Sequence, residues 1–285
     1  MTSSFVLSIT TFIYGLAVIL YAAGVSFKRE LPAKAATITT WIAVLANLAG
    51  ILLRWLESHQ LGYGHAPLTN LYESLIFFAF ATGVVYLGLE IKFKTRGLGA
   101  AAVLISFIAL AYASLGKGMD QEIQPLIPAL QSNWLSAHVM TCFLGYAAFA
   151  IAFGISVVYL IVADQVTEDD TAGGPATSGI YSLLPPADVL EELIYQTVVF
   201  GFFFLSMGII TGAVWANTAW GRYWGWDPKE TWSLITWFVY ATMLHVRLMR
   251  NWTGKRIAWF AIAGFAAVLF TYFGVNLLPG LHSYQ

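Results

Sequence analysis

The chain has 285 residues, 59% of them hydrophobic and 10% charged, with a mean hydropathy of +0.71. Soluble globular chains carry about a quarter charged residues, so this composition excludes a water-soluble domain, and a formal net charge of −1 argues against a nucleic-acid partner. One cysteine, Cys142, excludes an internal disulfide and a thiolate metal cage.

Apolar windows of about 20 residues, enough to cross ~30 Å of hydrocarbon, recur eight times. They lie near 5–27, 35–56, 70–91, 97–115, 133–163, 189–215, 231–250 and 256–277. The expected fold is all-α: a polytopic membrane protein of about eight transmembrane helices, one domain over 1–285. No Lys or Arg precedes the first span, while Lys28, Arg29 and Lys34 follow it, the reverse of a signal peptide. The N-terminus is therefore expected outside. Carried along the chain, this orientation puts Lys92, Lys94, Arg96, Arg247, Arg250, Lys255 and Arg256 inside as well. Only Arg54, Lys117, Arg222 and Lys229 are then outside, as the positive-inside rule favours, and the C-terminus is outside too.

Arg54 closes the second span, and His59 and His65 follow in an outer loop where no ligand role is assigned to them. In A-P-L-T-N-L-Y-E-S-L, Asn70 and Glu73 fit a capping box for the third span. Arg54 is expected either to pair with Glu73 or to clamp a ligand carboxylate. The 133–163 stretch exceeds one crossing, so it tilts or projects into water as a continuous helix. Trp134 and His138 share a face at its start, at i and i+4, and Cys142 reads as a small core residue. Residues 164–188 carry acids, Gly, Ser, Pro and Ala but no base, which describes a mobile acidic cytoplasmic loop.

Between Trp215 and Trp237 the sequence reads WANTAWGRYWGWDPKETWSLITW, six of the eleven tryptophans in an outer segment, 215–237. An aromatic belt accounts for Trp215, Trp232 and Trp237. Trp220, Trp224 and Trp226 are different, being mixed with Gly221 and Gly225 in a polar loop. Rigid indole faces there suit a planar macrocycle such as a porphyrin, with Arg222 or Lys229 meeting its propionates. Asp227, Pro228 and Glu230 read as N-cap, N1 and N3 of the next helix. Asp227 thus positions the loop, whether or not it also touches the ligand. His245 lies deep in the seventh span, too far from the outer loop for the same ligand, and an intramembrane ionisable residue is a functional candidate. His282 follows the last span, so His138 and His282 both reach the outer face, where two imidazoles can bind haem iron from opposite sides.

These pieces together resemble the CcsA/ResC type of cytochrome c biogenesis protein, within the haem-handling family named for its tryptophan-rich WWD signature (System II). The resemblance rests on WGRYWGWDPKETWSLITW, the run PLIPALQSNWLSAHV, APLTNLYESL, TMLHVR around His245 and the final LHSY. It implies a complex with a ResB-like membrane partner that moves haem b outward and presents it to apocytochrome c bearing C-x-x-C-H. His138 and His282 match the family's outer haem ligands, and His245 matches a membrane haem ligand completed by the partner. The thiols belong to the apocytochrome, and no general acid or base is evident. The membrane is expected to be a bacterial inner membrane or a thylakoid. The rival readings are a haem b electron-transfer subunit, whose usual helix-buried histidine pairs are missing, and a transporter of another amphipathic solute.

Overall fold

The computed structural model describes residues 2–116, 119–172 and 184–278, with side chains left out of account at 164–172. Among these residues every regular element is helical: α1 (Ser3–Phe27), α2 (Glu30–Gln60), α3 (Leu71–Phe93), α4 (Gly99–Leu115), α5 (Asn133–Ala172), α6 (Ala187–Trp220), α7 (Pro228–Arg250) and α8 (Lys255–Tyr272). Short 3₁₀ turns at Pro128–Leu130 and Gly274–Leu277 flank the start of α5 and the end of α8. The eight expected spans are these eight helices, and the protein is an all-α polytopic membrane protein.

In hydrocarbon only a helix or a closed barrel satisfies its own backbone, which is why apolar windows become helices here. Six helices are long and apolar enough to cross a membrane: α1, α2, α3, α5 over Asn133–Ala163, α6, and α8 extended to Leu277. α4 is a shorter apolar helix of 17 residues, while α7 carries Lys229, Glu230, His245, Arg247 and Arg250. Both are held by neighbours: α4 packs on α1 and α3, and α7 on α8 and α6.

α1 to α4 form one group of helices and α5 to α8 a second, joined where α5 packs on α3 and α4. α5 also packs on α6 and α8, so it runs through the centre, and Ala147 to Ala152 are at most 1% exposed. Small residues bring its backbone close to α6: a Cβ on Gly201 would meet the Gly145 carbonyl at 3.1 Å. α5 continues unbroken to Ala172, so the segment 164–188 is helical at its start and again from Ala187. Residues 173–183 of that segment lie outside the described residues.

Polar groups gather at the two ends of the bundle. At one end, which also holds the tryptophan segment, Ser3 donates to Glu57, and Lys229 donates to Asn276. At the other, Glu90 accepts from Tyr21 at 2.6 Å, Tyr86 at 2.8 Å and Thr37 at 2.5 Å, with Arg96 at 3.4 Å. Arg247 pairs there with Glu191, whose other oxygen accepts the Gly254 N–H at 2.8 Å.

Candidate functional site

At the tryptophan end the starts of α3, α5 and α7 and the ends of α6 and α8 enclose a cavity of about 380 Å³, a size within the range of small-ligand sites. His138, Trp215, Trp224 and Lys229 line it, with Phe143, Tyr146 and Tyr272 below. Its wall is mostly aromatic and aliphatic, and Asn70, Lys229, Glu230 and Asn276 are among the residues that bring polar groups to it.

His138 sits in the second turn of α5 and is held by α6. Its Nδ1 lies 2.7 Å from the Gly208 carbonyl. A carbonyl only accepts, so Nδ1 carries the hydrogen and Nε2 is the basic nitrogen of the ring, the tautomer an imidazole needs to bind a metal through Nε2. Two glycines make room for this setting. A Cβ at Gly212 would lie 2.6 Å from His138 Nδ1, and one at Gly208 would lie 2.5 Å from Cys142 Sγ. Trp215 stacks on the imidazole at 5.9 Å and 18°. Its indole N–H donates to the Ala129 carbonyl at 2.9 Å, and the residue is buried. Trp215 is thus a wall of the site rather than a belt anchor. Trp237 likewise turns inward, donating to Ser206 at 2.9 Å, and Trp232 packs on Phe270 with ring centroids 4.1 Å apart. Cys142, one turn after His138, is buried and borders the cavity.

The tryptophan loop begins where α6 ends at Gly221, whose φ of 72° favours glycine. It closes on the expected cap: Asp227 precedes Pro228, and the Glu230 carboxylate accepts the Asp227 N–H at 3.2 Å and the Gly225 N–H at 2.7 Å. Of the three loop tryptophans, Trp224 lines the cavity. Trp220 packs edge-on against Trp215 at 4.9 Å, one layer behind. Trp226 stands outside at 69% exposure, edge-on to Trp224 at 5.7 Å. Its φ of 56° is left-handed, uncommon for a bulky residue and a mark of functional loops. Asp227 is buried at the cap.

His245 is not brought to this cavity. It lies twelve residues beyond Ser233, the last residue of α7 to line the site, about 18 Å further along the axis. It is exposed on α7, in line with Ile235 and Phe238, which are also exposed. His282 lies outside the described residues; the preceding turn, Gly274–Leu277, ends beside the cavity at Asn276. His59 and His65 satisfy carbonyls, His59 that of Trp55 at 2.9 Å and His65 that of Gln124 at 3.0 Å.

Arg54 does not face a ligand. It is 2% exposed and donates to Glu73 at 2.7 Å and to the carbonyls of Gln121 and Glu122 at 2.9 and 3.2 Å. Of the two expectations for this residue, the pairing is the one observed, and its donors are taken up by it. Half of the expected capping box is present, since Asn70 accepts the Glu73 N–H at 2.8 Å. Glu73 itself turns to the N–H and hydroxyl of Thr69, at 2.9 and 2.8 Å. Sequence reasoning missed the pair of glycines on α6. G-x-x-x-G at 208–212 is the only signal they give, and it does not say which side chain the glycines admit.

The family model for cytochrome C assembly protein matches residues 68–282. The chain belongs to the cytochrome c assembly protein family. The match takes in every residue lining the cavity, from Leu68 to Asn276. Similar relatives are named cytochrome c biogenesis protein CcsA. The one from Prochlorococcus marinus is 38% identical over 94% of this chain and 90% of its own length. That from Guillardia theta is 41% identical over 81% and 79%, and that from a Synechococcus strain is 39% identical over 95% and 96%. Among solved structures, cytochrome c heme lyase CcmF superposes with a TM-score of 0.67 at 17% identity, covering 97% of this chain. This chain spans half the length of that one, and the likeness is one of fold. A role in cytochrome c biogenesis at a membrane follows from membership of the assembly family.

Proposed function

We propose that this protein binds haem b as its substrate in the cavity at the tryptophan end and presents it to apocytochrome c for thioether formation. The observation that carries the reading is His138, held by the Gly208 carbonyl in the Nε2-basic tautomer, on the wall of an aromatic cavity. That donor set fits haem: an imidazole for iron and flat indole faces for the macrocycle. His282, which follows the turn ending beside the cavity, supplies the second axial ligand. Of the loop residues, Trp224 faces the haem, while Trp220 backs Trp215, Trp226 lies edge-on to Trp224, and Asp227 fixes the loop through the α7 cap.

The chain's own residues orient and shield, and the vinyl groups react with the thiols of the C-x-x-C-H substrate. His245, exposed on α7 and distant from the cavity, serves a separate haem within the membrane, its other axial ligand coming from a ResB-like partner. Haem reaches the outer cavity from there. The ten basic residues of the opposite end face the cytoplasm, so the cavity opens on the outer side of a bacterial inner membrane or into a thylakoid lumen.

The test is the reduced absorption spectrum and pyridine haemochrome of the protein purified with its ResB-like partner, comparing wild type with His138→Ala plus His282→Ala. A haem b spectrum in the wild type and loss of a defined share of it in the double variant are expected. Equal haem in both, or none in either, would overturn the outer site.

A further inference from the structure

The cavity is lined by one lysine, Lys229, and one carboxylate, Glu230, and among the described residues the two do not pair. Lys229 stands in the first turn of α7, ahead of its apolar run, and lines the cavity beside Trp224 and Tyr272. Its ammonium has three hydrogens to donate. The acceptor described for it is a neutral amide, Asn276 Oδ1 at 3.3 Å. Among the described residues no carboxylate lies within ion-pair distance of it. Both neighbouring acids are committed to the helix cap: Asp227 accepts the backbone N–H of Lys229 at 3.2 Å, and Glu230 accepts from Gly225 and Asp227.

Burial pulls the Lys229 ammonium below the ordinary lysine range, and Asp227, the next largest influence, opposes it. Keeping a half-buried ammonium beside aromatic walls is costly without an anion to pair with it. Arg222, the other cation of the loop, does not compete for the cavity. It is exposed and folds over the loop backbone, where a Cβ on Gly225 would meet its Nε at 2.8 Å.

We infer that Lys229 is the anion-recognising residue of this cavity, pairing with a carboxylate on the rim of a flat apolar ligand. The inference rests on the haem reading above, in which that carboxylate is a propionate. It assigns the ligand class more narrowly than the aromatic walls do, since those hold any planar apolar molecule, whereas Lys229 selects one bearing an acid at its edge. It also fixes the ligand's rotation in the cavity. The acid edge is drawn to the α7 and α8 side, where Lys229 and Asn276 meet, and the opposite edge is left for the reacting groups.

The experiment compares two probes on the full chain purified with its membrane partner: haem b and its dimethyl ester, whose propionates are uncharged. Binding is titrated in wild type, Lys229→Gln and Lys229→Arg. In the wild type haem b should bind on the order of 10- to 100-fold tighter than the diester, the range of one charge-assisted hydrogen bond. Lys229→Gln should abolish this preference, while Lys229→Arg should keep most of it. A ratio of two dissociation constants on one preparation does not depend on the active fraction, so partial misfolding of a variant cannot mimic the result. Equal binding of both probes by the wild type, or an undiminished preference in Lys229→Gln, overturns Lys229 as the anchor and leaves the haem reading standing. Failure of both probes to bind overturns the haem reading and the anchor with it.

Discussion

One methyl group governs the setting of His138. At Gly212 it would lie 2.6 Å from Nδ1, well inside van der Waals contact, and at a site packed between two helices such overfilling costs about 1–3 kcal/mol. The cheapest response is for the imidazole to swing away from α6, which breaks its bond to the Gly208 carbonyl. Gly212→Ala is therefore expected to leave a folded membrane protein with several-fold less haem at the outer site, measured by pyridine haemochrome per mole of purified protein. Unchanged haem content would mean that the setting of the ring does not matter to binding. The same logic explains why residue types alone did not disclose this part of the site. Histidine and tryptophan announce themselves by their chemistry, but a glycine becomes informative only once its neighbour across the helix interface is known. Trp215 makes the point in reverse: its position at the end of an apolar run matches a belt anchor, and only its stacking on His138 and its bond to Ala129 show it to be a wall.

At the level of elements, the eight helices were legible because each crossing must be apolar over most of its length. Their mutual arrangement was not, because a helix buried on several sides carries no single apolar stripe. α5 is such a case, buried all round from Ala147 to Ala152. The cap of α7 was legible to the residue, since Asp, Pro and Glu have fixed places in a first turn. Arg54 was half legible: its pairing with Glu73 could be anticipated, but not its grip on the strandless segment at Gln121 and Glu122. That grip ties α2, α3 and the approach to α5 together in one buried cluster. Removing one partner strands a buried charge, at a cost of about 3–5 kcal/mol. Arg54→Ala should accordingly lower the thermal midpoint in detergent sharply, whereas Lys34→Ala, whose pair with Glu30 is exposed on both sides, should change it little, an exposed pair being worth about 0–1 kcal/mol. Similar losses from the two substitutions would show that the Arg54 cluster is not a keystone of this end.

The whole molecule is electrically polar along its membrane axis, with ten of its fourteen basic residues gathered at the end remote from the tryptophan loop. If that asymmetry sets the orientation, a cysteine placed at Gln131 should react in intact cells with a membrane-impermeant maleimide. One placed at Arg250 should react only after the membrane is opened. Cys142 is buried and can be replaced by alanine for this purpose. The reverse pattern of labelling would invert the orientation and with it the side on which the cavity opens. Through this polarised bundle α5 runs for 40 residues without a proline, about 60 Å of continuous helix, roughly twice the thickness of the hydrocarbon layer. A rod of that kind has no joint in which to lose a movement. Pivoted at its tightly packed middle near Ala152, it would carry His138 through roughly 2 Å for a tilt of about 5°, the scale on which an iron–imidazole bond is made or broken. On the haem reading proposed above, the far end of α5 and the imidazole are thus two ends of one lever, and a push on the first would be felt at the second.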